Sequence, residues 1–185
     1  MAPWTVTEAA KLLGAPQHRL IHLCEKKVVV PDVRDARGRG SSREFSKRNL
    51  FDFAVALEMR RLELPVSFVQ AVLRVLRSFE AEVKSTLGEF TLPESLVTPS
   101  AAQLTLIILD GERLYFRLDS HGTKPRVFGG VDIRHPRVRG RARHHLGVGR
   151  LEPAEAGRVL SAARTRTEVN LSQIARDLAA QVSEG

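Results

Sequence analysis

The stretch that most constrains this chain is TEAAKLLGAPQHRLIHLCE, Thr7 to Glu25. Apolar residues recur at helical spacing on both sides of a Gly-Ala-Pro break. Ala9, Leu12 and Leu13 precede it; Leu20, Leu23 and Cys24 follow it. Helices this short do not persist on their own hydrogen bonds, so each must bury its stripe against the other and against more chain. Thr7 reads as the N-cap of the first helix and Gly14 as its stop, and Pro16 suits the first position of the second. Two short helices and a tight turn make a helix-turn-helix. Gln17, Arg19, His22 and Lys26 form the polar face of the second helix.

VVVP, residues 28–31, is short and β-branched, a strand or an extended link. RDARGRGSSREFS, Arg34 to Ser46, has no apolar residue between Ala36 and Phe45. Two readings fit it. One is a solvated Arg/Gly linker. The other is a loop or small hairpin that offers Arg37, Arg39 and Arg43 to an anion. There Gly38 and Gly40 would let the backbone turn and approach closely, and Phe45 would anchor the return strand. The direct run from Phe45 into a helix capped by Ser46 favours the second. That helix, SKRNLFDFAVALEMRRL, repeats Leu50, Phe53, Ala54 and Leu57. After Pro65, another carries Val69, Val72, Leu73, Leu76 and Phe79 on one face and Arg74 and Arg77 on the other.

In this order the pieces TVTEAAKLLG, HLCE, VVVPD, SSREFS and NLFDFAVALEMRRLELPVSFVQAVL resemble the MerR family of bacterial transcription regulators. The resemblance covers the first half of the chain. It implies a winged helix-turn-helix that binds double-stranded DNA as a homodimer on a two-fold operator. Arg34 to Ser46 would then be the wing. DNA contact would fall to Thr7, to Gln17, His18, Arg19 and His22 on the second helix, and to Arg37, Arg39, Ser41, Ser42 and Arg43 in the wing. Lys47 and Arg48 at the head of the third helix complete the set. Where the family has Arg-Tyr-Tyr-Glu in its recognition helix, this chain has His22-Leu23-Cys24-Glu25, and Ser41-Ser42 replaces Gly-Tyr before the wing arginine. Arg43 and Phe45, two apart, would share one side of a strand. A strand end near Glu44, or an Arg43 side chain running along the core edge, would let one face DNA and the other the core.

GEFTLPESLVTPSAAQ, residues 88–103, reads as a linker or an irregular crossing. LTLIILDGERLYFRL is a hairpin signal, two β-rich runs around Asp110-Gly111. RVFGGVDI is a third strand. RHPRVRGRARHHLGVGR, Arg134 to Arg150, is a basic loop, either solvated or a second anion contact. PAEAGRVLSAA is a helix, RTEVNL a short strand, and SQIARDLAAQV a terminal helix with Ile174, Leu178 and Val182 on one face. The expected fold class is α+β. It has an N-terminal winged helix-turn-helix over residues 1–87, a linker over 88–103 and a small mixed α/β domain with three or four strands over 104–185.

The formal charge of +8 and the pI near 10.5 favour a polyanionic partner, although arginine-rich coding alone raises both. One cysteine, Cys24, excludes an intramolecular disulfide and argues against a cysteine zinc site. Its expected place is the helix-turn-helix core, rather than a redox-sensing role. The start lacks a basic and apolar leader pattern, and LTLIIL is too short for a bilayer, so a soluble cytoplasmic protein with no membrane contact is expected. No phosphate loop or nucleophile elbow occurs. His121, His135, His144 and His145 are read as loop or core residues rather than metal ligands. The expectation is a transcription regulator with no catalytic residues, no metal and no cofactor. The fourth helix and the Ile174/Leu178/Val182 face are its candidate dimer seams. A DNA-architectural or partition-type adaptor, with the second half recruiting a protein partner, is the alternative; a ligand or protein partner at the second half is expected in either case.

Overall fold

A computed structural model describes residues 3–35, 42–98, 101–120, 123–133 and 148–184. The fold is α+β, with two antiparallel sheets among the described residues. The chain divides into two compact units. One runs to Gln70 and takes back the chain from Ile174; the other spans Ala71–Gln173. The boundary after Gln70 lies inside the helix Val66–Leu87, ahead of the end expected for the first domain at residue 87, and the chain from Ile174 belongs to the first unit rather than the second. Among the described residues no helix is long and apolar enough to cross a membrane.

In the first unit, β1 (Trp4–Thr5) leads into α1 (Val6–Leu12), then α2 (Gln17–Glu25), β2 (Glu44–Phe45) and α3 (Lys47–Arg61). The N-cap of α1 is Thr5, not Thr7. Thr5 Oγ1 accepts from Glu8 N while the Glu8 carboxylate accepts from Thr5 N, a capping box that Thr7 lacks the partner to form. Pro16 is itself the N-cap of α2. Residues 28–31 belong to no strand. β1 pairs with β2 through Trp4–Phe45 and Thr5–Glu44.

The first three helices end the same way. The amide two residues past the cap returns to the third-last carbonyl: Ala15 to Ala10, Val28 to Leu23, Leu64 to Met59. The intervening residue takes positive φ: Gly14 at 56°, Lys27 at 55° and Glu63 at 59°. Sequence signals mark only the first of these stops, because lysine and glutamate are not the usual left-handed residues. The core holds Leu20, Leu50, Phe51 and Met59, with Phe45 edge-on to Phe53 at 5.1 Å.

α4 (Val66–Leu87) begins just after Pro65. In the second unit β3 (Gln103–Leu109), β4 (Arg113–Asp119), β5 (Arg126–Asp132), β6 (Gly149–Leu151) and β7 (Arg166–Asn170) form one sheet in the order β6-β5-β4-β3-β7. α5 (Pro153–Ala162) precedes β7, and α6 (Leu171–Glu184) closes the chain. Phe79 stacks on Phe116 at 4.6 Å and meets Phe128 and Phe90 edge-on. The other sheet face, with Ile107, Leu109, Tyr115 and Val127, packs Ala156, Val159 and Leu160 of α5. Burial on both faces explains why β3 is apolar without alternation.

Asp110 (φ 51°) and Gly111 (φ 70°) turn the expected hairpin. The Asp110 carboxylate accepts from the backbone N–H groups of Arg164 and Thr165 at 2.9 and 3.1 Å. Those bonds, above all the one from Thr165, lower its pKa. Gly129 is demanded by the bulge opposite Leu114 and Tyr115: at φ 131° a Cβ would lie 2.5 Å from the Leu114 carbonyl oxygen.

Two expectations change here. Of the two readings of residues 88–103, the irregular crossing fits rather than the linker: Phe90, Leu92, Leu96 and Ala101 are buried, and Glu94–Leu96 is a turn of 3-10 helix. The prolines and hydroxyls advertised a loop, but the apolar residues between them fill a core. The sheet also has five strands rather than three or four, because the end of the basic segment pairs with β5 as β6. Residues 134–147, with His135, His144 and His145, and also His121, lie outside the described residues.

Candidate nucleic-acid interface

Burial of Leu20, Leu23 and Cys24 fixes the rotation of α2. It leaves Gln17, His18, Arg19, His22 and Lys26 exposed. The first turn of α2 carries no acid, and neither does that of α3, where Lys47 and Arg48 sit instead. Bases at a helix start oppose the helix dipole, whose positive end prefers an anion. The two helix starts therefore combine side-chain and backbone positive character. Thr7 is exposed at the second position of α1.

The chain between α2 and α3 is held at its base. Arg34 and Glu44 exchange backbone hydrogen bonds, at 3.3 Å from Arg34 N and 2.8 Å from Glu44 N. Their side chains form an ion pair, and Arg34 also donates to Ser42 Oγ at 3.3 Å. Asn49 is buried and uses both ends of its amide. Its Oδ1 accepts from Asp32 N at 2.9 Å and its Nδ2 donates to Val30 O at 3.1 Å. Asp32 in turn accepts from Ser46 N at 3.0 Å and from the Ser46 hydroxyl, and Ser46 Oγ caps α3 by accepting from Asn49 N. Arg34 to Ser46 is thus anchored at both ends. Arg37, Arg39 and Ser41 lie outside the described residues.

Other cations expected in this region are partly neutralised. Arg43 Nε lies 3.1 Å from Asp35 Oδ1, and its side chain is 27% exposed. β2 begins at Glu44, so Arg43 stands at the strand end and escapes the inward direction of fully buried Phe45. Arg43 also acts on Cys24, lowering its pKa slightly, so its side chain passes near the end of α2. Burial outweighs that effect and pushes the Cys24 thiol up to about 11. Arg48 pairs with buried Asp52 one turn on, at 3.1 Å, which ties it to the body of α3. Ser42 is exposed, and Lys47 is half-buried.

The structure adds cations that the sequence reading left out. Arg60 and Arg61, at the end of α3, line clefts together with Arg19. Arg60 and Arg61 stand in the last turn of α3, and only the fold brings residues 19 and 60 to one place. The chain matches no protein-family model, and no curated protein matches it.

Proposed function

We propose that the chain is a sequence-specific, double-stranded-DNA-binding transcription regulator of the MerR type, acting as a homodimer in the cytoplasm. The observation that carries this reading is the acid-poor exposed face of α2, His18, Arg19, His22 and Lys26 with Gln17, beside an arginine-rich segment anchored at its base. In this reading the first unit is a winged helix-turn-helix. α2 enters the major groove, where Gln17 and Arg19 meet base edges. The segment around Arg37 and Arg39 and the head of α3 at Lys47 meet phosphates. Arg43 shares its charge with Asp35 and contributes less than an unpaired arginine would.

Within a single chain Leu178 is 1% exposed, and Val69, Val72, Leu76 and Phe79 have no exposure at all. Those side chains are core, which leaves Ile174 and Val182, half-buried on the last helix, as the part of the expected seam that a partner could cover.

The test is selection of duplexes from a random library by the full-length chain, followed by binding as a function of salt. The reading expects convergence on an inverted repeat and a dimeric mass by light scattering. It expects Arg19→Ala with His22→Ala to weaken the selected duplex at least about tenfold more than a scrambled one, on the scale of one bidentate base contact. Equal losses on both would remove base reading by α2. A library that does not converge would remove sequence-specific binding altogether.

A further inference from the structure

One cleft in the first unit does not suit a phosphate backbone. It encloses about 290 Å³ and is lined by His18, Arg19, His22, Leu23, Leu57, Arg60 and Val66. Four of these side chains carry nitrogen donors and none is acidic. Arg60 is anchored by donation from Nη1 to the Leu64 carbonyl, and a guanidinium has further donors to offer. The other three, Leu23, Leu57 and Val66, are aliphatic. A phosphodiester laid over this cleft would satisfy the cations and leave the aliphatic wall against a polar group, without burying it. The volume lies just below the range of ordinary ligand pockets, roughly 300 to 1,000 Å³, and so suits only a small ligand.

We infer that this cleft is a binding site for a small organic anion: one carboxylate or phosphate head on a compact apolar body. The head meets Arg19 and Arg60, with His18 or His22 as an added donor. Paired guanidinium groups suit a planar or tetrahedral oxyanion better than a point cation would. The body covers Leu57 and Val66. The first turn of α2, which holds His18 and Arg19 and no acid, adds its dipole in the same sense. This inference does not rest on the DNA reading.

The test is calorimetric titration of the full-length chain without DNA, using phenyl phosphate, inorganic phosphate and benzyl alcohol as probes. Phenyl phosphate is expected to bind at one site per chain, about tenfold more tightly than either half-probe, a ratio equivalent to about 1.4 kcal/mol. Arg60→Gln should weaken it about tenfold, and Val66→Thr, which keeps the shape but adds a hydroxyl, several-fold. Arg158→Gln, exposed on α5, should change nothing. Should Arg60→Gln fail to fold by circular dichroism, Arg19→Gln gives the same readout. Inorganic phosphate binding as tightly as phenyl phosphate would reduce the cleft to a charge seat and overturn the inference. So would affinity for phenyl phosphate that survives the arginine substitutions, or no binding at all. DNA binding is measured separately, so loss of one reading leaves the other standing.

Discussion

Asn49 offers the sharpest test of how the Arg34–Ser46 segment is anchored. Its side chain is 1% exposed, and its two amide ends have partners of opposite kind, an N–H at Asp32 and a carbonyl at Val30. Asn49→Ala removes both bonds. A net hydrogen bond is worth about 1 kcal/mol, and a buried group left unpaired costs about 1–3 kcal/mol. Val30 and Asp32 are themselves exposed, so water can reach the freed groups in part, and the lower end applies. The expected loss is about 2 kcal/mol, roughly thirtyfold in the folded-to-unfolded ratio. Asn49→Asp has the same shape but cannot donate when ionised. It would set a buried carboxylate against the Val30 carbonyl, near the Asp32 carboxylate. It should therefore cost more than alanine, at least about 3 kcal/mol. Urea unfolding followed by circular dichroism measures both, and an unchanged slope would show that the midpoint shift is stability. An aspartate variant as stable as the wild type would refute the reasoning, because the bond to Val30 could then not matter. An alanine variant within about 0.5 kcal/mol of the wild type would do the same, since that is the scale of ordinary surface substitutions.

Three further outcomes follow from other elements. Glu63→Gly should stabilise the chain by about 1 kcal/mol in the same unfolding assay, because glutamate there holds φ at 59°; destabilisation would mean its side chain contributes more than the strain. The Cys24 thiol, raised from 9.0 to about 11, should react with an aromatic disulfide reagent at mildly alkaline pH about a hundredfold more slowly than in the denatured chain; equal rates would place it outside the core. Asp110, with its pKa lowered in the fold, stabilises the chain above the unfolded carboxylate value of about 3.9, and this contribution disappears as pH falls through the lower folded value. Asp110→Asn can still accept from Arg164 and Thr165, so its urea midpoint should fall less than the wild type's between mildly acidic and strongly acidic pH, and parallel curves would exclude the linkage.

Local signals were legible where one residue type has one use. Ser46 caps α3, Asp110-Gly111 turns the hairpin, and Pro153 begins α5, each where the sequence indicates. Signals failed where two residues compete for one role or where a long-range partner decides. Thr5 and Thr7 are both credible caps; only the reciprocal bond with Glu8 chooses between them. Residues 88–103 look polar by composition, yet Phe90 packs edge-on against Phe79, and Leu92 and Leu96 are buried. Helical periodicity identifies a stripe that must be covered but not what covers it. That is why Leu178 and the Val69–Phe79 face were equally credible as dimer seam and as core until the fold assigned them to core.

The candidate site divides along the same line. The exposed face of α2 followed from its apolar stripe, because burying Leu20, Leu23 and Cys24 leaves only one direction for Arg19 and His22. Charge partners did not follow. Arg43 and Arg48 read as free cations in the sequence, but Asp35, eight residues before Arg43, pairs with it, and Asp52 is buried one helical turn after Arg48. A count of +8 therefore overstates the positive potential near the segment base and understates it at the α2–α3 cleft. There Arg19 and Arg60, forty-one positions apart in sequence, line the same space with no acid among the lining residues. Two guanidinium groups that line one cleft beside an aliphatic wall offer forked donors and positive charge to an anion with an apolar body, and that combination is the physical reason to look for such an anion there.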